Sequence, residues 1–117
     1  MKQLTFKWGV SRGRYTYGYN ICSLYVEGKK VASCNGGGYD MKGTCFGDWI
    51  EKEFQEQLKT LNLDEFYGLQ EYDGKRILDG ACGFSSMERI LKALGYKLTY
   101  LRHAGGKNDE LYLVENI

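Results

Sequence analysis

The stretch from Tyr15 to Cys34, YTYGYNICSLYVEGKKVASC, decides the fold. Tyr15 to Val26 is rich in β-formers, with Cys22, Leu24 and Val26 on one face and Ile21 and Tyr25 on the other. Glu27-Gly28-Lys29 is a tight turn, and Lys30 to Cys34 reads as the next strand. Such a short turn cannot make a parallel crossover, so the strands are antiparallel. Upstream, Leu4, Phe6, Trp8 and Val10 alternate with Thr5, Lys7 and Gly9, the period of a half-buried strand. Ser11-Arg12-Gly13-Arg14 turns the chain between the two, and the whole is an antiparallel meander.

Asn35-Gly36-Gly37-Gly38 ends the meander, and a helix is expected to enter between Asp40 and Thr44. Phe46, Ile50, Phe54, Leu58 and Leu61 recur at helical spacing beside Trp49, with charged residues opposite; this predicts an amphipathic helix of about four turns. Gly43 and Gly47 weaken its start. Asn62 to Gly80 has no clear period and reads as a loop, with a turn at Asp73-Gly74 and Phe66, Tyr67 and Leu69 as packing candidates. Ser85-Ser86-Met87-Glu88 has the form of a capping box, which makes Ser85 an N-cap. Met87, Ile90, Leu91 and Leu94 are the buried stripe of that second helix, and Gly95 stands where a C′ glycine ends it. Tyr96 to His103 and Glu110 to Val114 alternate again around a hairpin loop at Gly105 to Asn108. The expected fold is α+β and a single domain over residues 1–117. Its order is β-β-β-α-α-β-β, a largely antiparallel five-stranded sheet with two helices packed on one face.

Composition narrows the function classes. The chain has 117 residues, 16 Gly, 10 Tyr and no Pro, a size suited to one core. At 43% hydrophobic and 15% aromatic it can bury that core. A formal charge of +1 argues against a grip on duplex DNA by phosphate neutralisation. No run of about 18 apolar residues occurs, so no membrane span is expected. The alternating start Met1 to Phe6 lacks the apolar core of a signal peptide. Reduced thiols in a cytoplasmic compartment are therefore expected for Cys22, Cys34, Cys45 and Cys82. No CxxC pair occurs and His103 is the only histidine, so no metal or cofactor is expected; Cys22 and Cys34 read as small core residues on strands.

Three blocks can carry chemistry. In Cys34 to Thr44, CNGGGYDMKGT, the glycines Gly36, Gly37 and Gly38 precede a helix start, where free N–H groups suit an anion. Asn35, Lys42 and Thr44 add an amide, a cation and a hydroxyl. The spacing matches neither a P-loop nor a dinucleotide fingerprint, and a tight strand-to-helix connection would also need glycines. In Ser11 to Asn20, SRGRYTYGYN, the alternating Tyr15, Tyr17 and Tyr19 share a strand face. They can stack a base while Arg12 and Arg14 meet phosphate, or form a tyrosine ladder that covers the sheet. In Asp79 to Ser86, DGACGFSS, Cys82 lies just before a helix; with His103 it is the one nucleophile–base pair available, though a cysteine in a turn is more often packing. Asp40, Asp48, Asp73 and Asp79 offer no spacing that singles out a carboxylate pair.

The blocks TYGYN, CNGGGYDMKGT and DGACGFSS together resemble those of a family of small proteins encoded by bacteriophages and prophages. The resemblance covers the N-terminal half and the last third of the chain, with Leu63 to Leu78 outside it. It carries no activity; it implies a small accessory protein in the bacterial host cytoplasm, of the kind that antagonises host defence. With the three blocks, that context leads to a non-enzymatic sponge for a nucleotide-derived immune signal, with a homo-oligomer as a way to enclose it. A protein-protein inhibitor of a host defence complex, in the manner of anti-CRISPR proteins, is the second reading. A single-stranded nucleic-acid binder and a cysteine enzyme using Cys82 follow.

Overall fold

The computed structural model describes residues 2–9, 21–35, 40–104 and 109–117. Strands β1 (Lys2–Gly9), β2 (Ile21–Val26) and β3 (Lys29–Asn35) form the expected meander. Leu4 stands opposite Val26, and Cys22 opposite Cys34. Between β2 and β3, Glu27 (φ 51°) and Gly28 (φ 81°) both adopt the left-handed conformation that a two-residue hairpin turn requires. The C-terminal strands β6 (Tyr96–Ala104) and β7 (Asp109–Asn116) pair with each other, and β7 pairs with β1. The five-stranded antiparallel sheet therefore has the order β3-β2-β1-β7-β6, with the first strand at its centre.

Helix α1 (Met41–Glu53) covers β2 and β3, and α3 (Phe84–Ala93) lies against α1 and β6. The ring of Phe6, fully buried on the central strand, meets Phe46 of α1 edge-on at 6.1 Å and Phe84 of α3 at 5.8 Å. Both helices thus share the sheet face that carries Leu4, Phe6, Cys22 and Leu24. None of the described helices is long and apolar enough to cross a membrane.

Three local expectations are corrected. The first helix does not run unbroken to Leu61. It ends at Glu53, Phe54 leaves helical geometry (φ −120°, ψ 29°), and a short α2 (Gln55–Leu58) follows. The Gln55 side-chain amide donates to the Glu51 carbonyl, the acceptor that a continuous ladder would give to the backbone N–H of Gln55. Phe54 and Leu58 stay buried, so the apolar period survives the break.

The segment read as a loop contains a second, two-stranded sheet, β4 (Leu69–Tyr72) and β5 (Lys75–Leu78). Its turn is Asp73 (φ 53°) and Gly74 (φ 77°). The strands are four residues long and bury Leu69 and Leu78, too little to leave a period. The hairpin is held from both sides of the helix break: the Gln55 side chain of α2 bonds both the N–H and the carbonyl of Arg76, and Glu51 of α1 accepts from Leu78 N–H at 3.0 Å.

The capping box does not form as written. Helix α3 starts at Phe84, Gly83 (φ 111°) is its N-cap, and the Ser86 hydroxyl donates to the Cys82 carbonyl. The capping acceptor comes from Asp40 on the other helix. Gly95 (φ 99°) follows the C-cap Leu94, as expected.

Candidate functional site

Asp40 organises the junction between two of the three sequence blocks. As N-cap of α1 it accepts the Gly43 N–H on Oδ1 at 2.9 Å. Its Oδ2 accepts the Phe84 N–H at 2.8 Å and so caps α3 as well. One carboxylate faces two helix N-termini, each with partial positive charge. Gly43 and Gly80 then allow the backbones to touch. A Cβ on Gly80 would stand 2.6 Å from the Gly43 carbonyl oxygen, and one on Gly43 would stand 2.8 Å from the Gly80 oxygen. The first turn of α1 therefore rests directly on the 3-10 turn Gly80–Cys82. Asp79 caps that turn by accepting the Ala81 N–H at 3.0 Å.

Beside this contact lies an open cleft of about 500 Å³, lined by Cys34 and Asn35 from β3, Thr44 and Asp48 from α1, and Asp79 and Gly80. Blocks that lie far apart in the sequence, CNGGGYDMKGT and DGACGFSS, meet here. Thr44 and Asp48 are one helical turn apart and share a face. The Thr44 hydroxyl donates to the Asp40 carbonyl at 3.2 Å. The carboxyl of Asp48 is pushed up from its ordinary value, first by burial and then by Glu51, with Lys52 opposing. A carboxyl perturbed by burial in a cleft is a common signature of a binding site. Sequence spacing does not separate Asp48 and Asp79 from the other carboxylates; the helical i, i+4 relation of Thr44 to Asp48, which the sequence reading did not use, is the one signal that could have found the first.

Under the cleft floor three thiols converge. Cys22 and Cys34 are cross-strand neighbours, and Cys45 of α1 packs over them, its Sγ 3.1 Å from the Cys22 carbonyl. Cys22 and Cys45 are fully buried, as expected for Cys22; Cys34 is half-buried and reaches the cleft. Hydrogen bonds from Cys22 and Cys34 favour the thiolate of Cys45 and draw its pKa down against burial. Cys34 is pushed up to about 11, first by burial and then by Cys45. All four cysteines are free, and among the described residues no group of three or more His, Cys, Asp or Glu side chains is arranged to hold a metal ion.

Lys42, expected to meet an anion, is already paired. Its ammonium lies 2.5 Å from Glu110 Oε2, bonds the Tyr112 hydroxyl, and sits 4.2 Å from the Phe84 ring centroid and 4.7 Å from that of Tyr112. The Tyr112 hydroxyl in turn donates to Glu110 at 3.0 Å. Burial alone would lower the Lys42 pKa; the bonds to Glu110 and Tyr112 outweigh it and raise it. The aromatic and acidic surroundings came from a strand some 70 residues away, where no local pattern could announce them.

Cys82 lacks the environment of an activated thiol. It sits in the 3-10 turn ahead of α3, and burial followed by Asp79 pushes its pKa up, which disfavours the thiolate. The His103 side chain lies outside the described residues, as do Arg12, Arg14, Tyr15, Tyr17, Tyr19, Gly36, Gly37 and Gly38. Of the expected ligand residues, Asn35 and Thr44 are therefore the two that the described structure brings to one cleft. A second groove of about 480 Å³, between α3 and β6, carries Arg89, Lys92, Lys97 and the Tyr96 ring, none of which the sequence singled out.

Comparison with protein-family models, curated proteins and solved structures finds no match for this chain. The functional reading rests on the site itself.

Proposed function

We propose that the protein binds a small nucleotide-derived ligand without turning it over, and that it acts as a phage-encoded sponge for an immune signal in the host cytoplasm. The observation that carries this reading is the cleft where Asn35 and Thr44 of one block meet Asp79 of another, with Asp48 of α1 beside them. Amide, hydroxyl and carboxylate groups at one cleft suit the donors of a base edge or a ribose. Among the described residues the cleft lining holds no cation, and Lys42 is engaged by Glu110. The phosphate part of the ligand is therefore assigned to Arg12, Arg14 and the N–H groups of Gly36 to Gly38, with Tyr15, Tyr17 or Tyr19 stacking the base. Asn35 directly precedes those glycines in the chain.

Calorimetric titration with cyclic dinucleotides, cyclic oligonucleotides and ADP-ribose isomers tests the reading. Binding with Kd below about 100 μM, returned chemically unchanged and lost in Asn35→Ala, is expected. No binding to any of them rejects it. Loss of binding in Lys92→Glu but not in Asn35→Ala would move the site to the α3–β6 groove. Light scattering with and without ligand tests the accompanying homo-oligomer.

A second reading, an inhibitor docked on a host defence protein, is favoured by Tyr67 and Tyr72, which are 74% and 73% exposed. Tyrosine is enriched among the anchors of protein interfaces. Capture of a defence nuclease that survives Asn35→Ala and fails in Tyr67→Ala/Tyr72→Ala would support it.

A further inference from the structure

Sheet topology leaves β6 on an edge: it pairs with β7 on one side and with no other described strand. A groove of about 480 Å³ lies along that edge, between β6 and α3. Tyr96, Leu98 and Ile117 give it an apolar lining, and the Ile117 N–H is tied to the Gly95 carbonyl at 3.0 Å. Arg89 and Lys92, one turn apart on α3, and Lys97 of β6 give it a cationic rim, against one lining side-chain carboxylate, Glu88. The three cations are exposed, and among the described residues none of them makes an ion pair. We propose that an extended acidic segment of a partner protein docks here as a sixth strand on β6, with alternate side chains in the groove.

An edge strand offers backbone N–H and C=O groups that an incoming strand can pair. Tyr96 and Leu98 pack against the core and so face the helices; Lys97 between them lies on the other face and reaches the groove round the strand edge. A strand added beside them drops every second side chain toward Tyr96, Leu98 and α3, where Arg89 and Lys92 meet carboxylates. Its remaining side chains stand beside Lys97. The irregularity between Tyr100 and Arg102 interrupts the ladder, so the pairing stretch is Tyr96 to Thr99. The cations select the occupant. A second copy pairing through its own β6 would set basic strand against basic strand, because YKLTYLRHA carries Lys97 and Arg102 and no acidic residue. This surface is separate from the cleft at Asn35 and Thr44, and its reading does not depend on the function assigned there.

The test displays random peptides of about ten residues, the length of a long strand, against the intact protein. Enriched peptides should be acidic, with apolar residues in alternation. The strongest, synthesised with a fluorescein label, should slow backbone hydrogen exchange over Tyr96 to Thr99. N-methylation of its alternate amides should abolish binding in one register and spare it in the other, because only one edge of an added strand pairs. Lys92→Glu/Lys97→Glu should weaken binding at least about tenfold, while Lys59→Glu/Lys75→Glu, the same change in charge at exposed sites elsewhere, should leave it unchanged. If the first pair fails to fold by circular dichroism, Lys92→Gln/Lys97→Gln decides. No enrichment, enriched peptides without acidic residues, protection away from β6, or equal effects of N-methylation in the two registers overturns the proposal. Displacement of the peptide by a cyclic dinucleotide or by oligouridylate also overturns it, since the cations would then serve phosphate.

Discussion

Asp40 Oδ2 accepts the backbone N–H of Phe84 at 2.8 Å across 44 residues of sequence, while its other oxygen caps its own helix. The two helix starts are thereby fixed against each other by a single side chain.

Asp40→Ala should therefore cost more than one ordinary cap. Each lost cap is worth about 1 kcal/mol, so about 2 kcal/mol is expected, seen as a Tm fall of about 10 °C. Asp40→Asn keeps one acceptor oxygen and should fall between. A loss of only about 1 kcal/mol in urea titrations would show that the second cap contributes nothing.

Gly80→Ala and Gly74→Ala should separate crowding from backbone conformation. At Gly80 a methyl meets the backbone of Gly43 and Thr44, so the two elements must part; a loss above about 3 kcal/mol is expected. At Gly74 nothing lies within 4 Å, and only its φ of +77° opposes a side chain, a cost of about 1 kcal/mol. Chemical denaturation of the two variants measures the difference, and equal losses would contradict the close contact at Gly80.

Lys42 and Glu110 should couple strongly. Their side chains are 17% and 22% exposed, so removing one leaves the other poorly solvated. Lys42→Met and Glu110→Gln should each cost about 2 kcal/mol, and the double variant clearly less than their sum. The Lys42 pKa is raised in the fold, so its contribution is complete below its ordinary 10.5 and is lost as pH rises through the folded value. The Tyr112 pKa is also raised, by burial first, and acts in the same direction. Wild-type stability should thus decline steeply in that alkaline range, and Lys42→Met should decline less.

Asp48→Asn should stabilise the protein at pH 7. A folded pKa raised above the ordinary 3.8 favours folding below that value and loses this as pH rises, so the ionised form is a burden at neutrality. Because the group is only half-buried, solvent screening limits the gain to some tenths of a kcal/mol, or about 1 at most. In thermal melts the variant's gain over the wild type should be larger at pH 7 than at pH 3. The proposed ligand should bind the variant more weakly.

The central meander and the last hairpin were legible because alternation and short glycine turns are local signals. Leu4, Phe6, Cys22 and Leu24 were read on the buried face, where the fold puts them. The second hairpin escaped because Leu69 and Leu78 are too few to show a period. The α3 cap escaped because its acceptor, Asp40, belongs to another helix, and a plausible local acceptor at Ser85 stood nearby. Asn35 and Thr44 could be named from the glycine-rich block, but their meeting with Asp48 and Asp79 depends on the Gly43–Gly80 contact. Lys42 looked like a free cation for the same reason, since its partner Glu110 is distant in sequence.

The break at Phe54 has a use beyond bending a helix. It frees Gln55 to present its amide to Arg76 as a neighbouring strand would, donor and acceptor together, and Glu51 takes the next N–H at Leu78. The outer rim of β5 is thereby sealed against a foreign strand by side chains alone. Were Gln55 shortened to Ala, that rim would become a template for strand addition, and the variant should self-associate before it loses its fold.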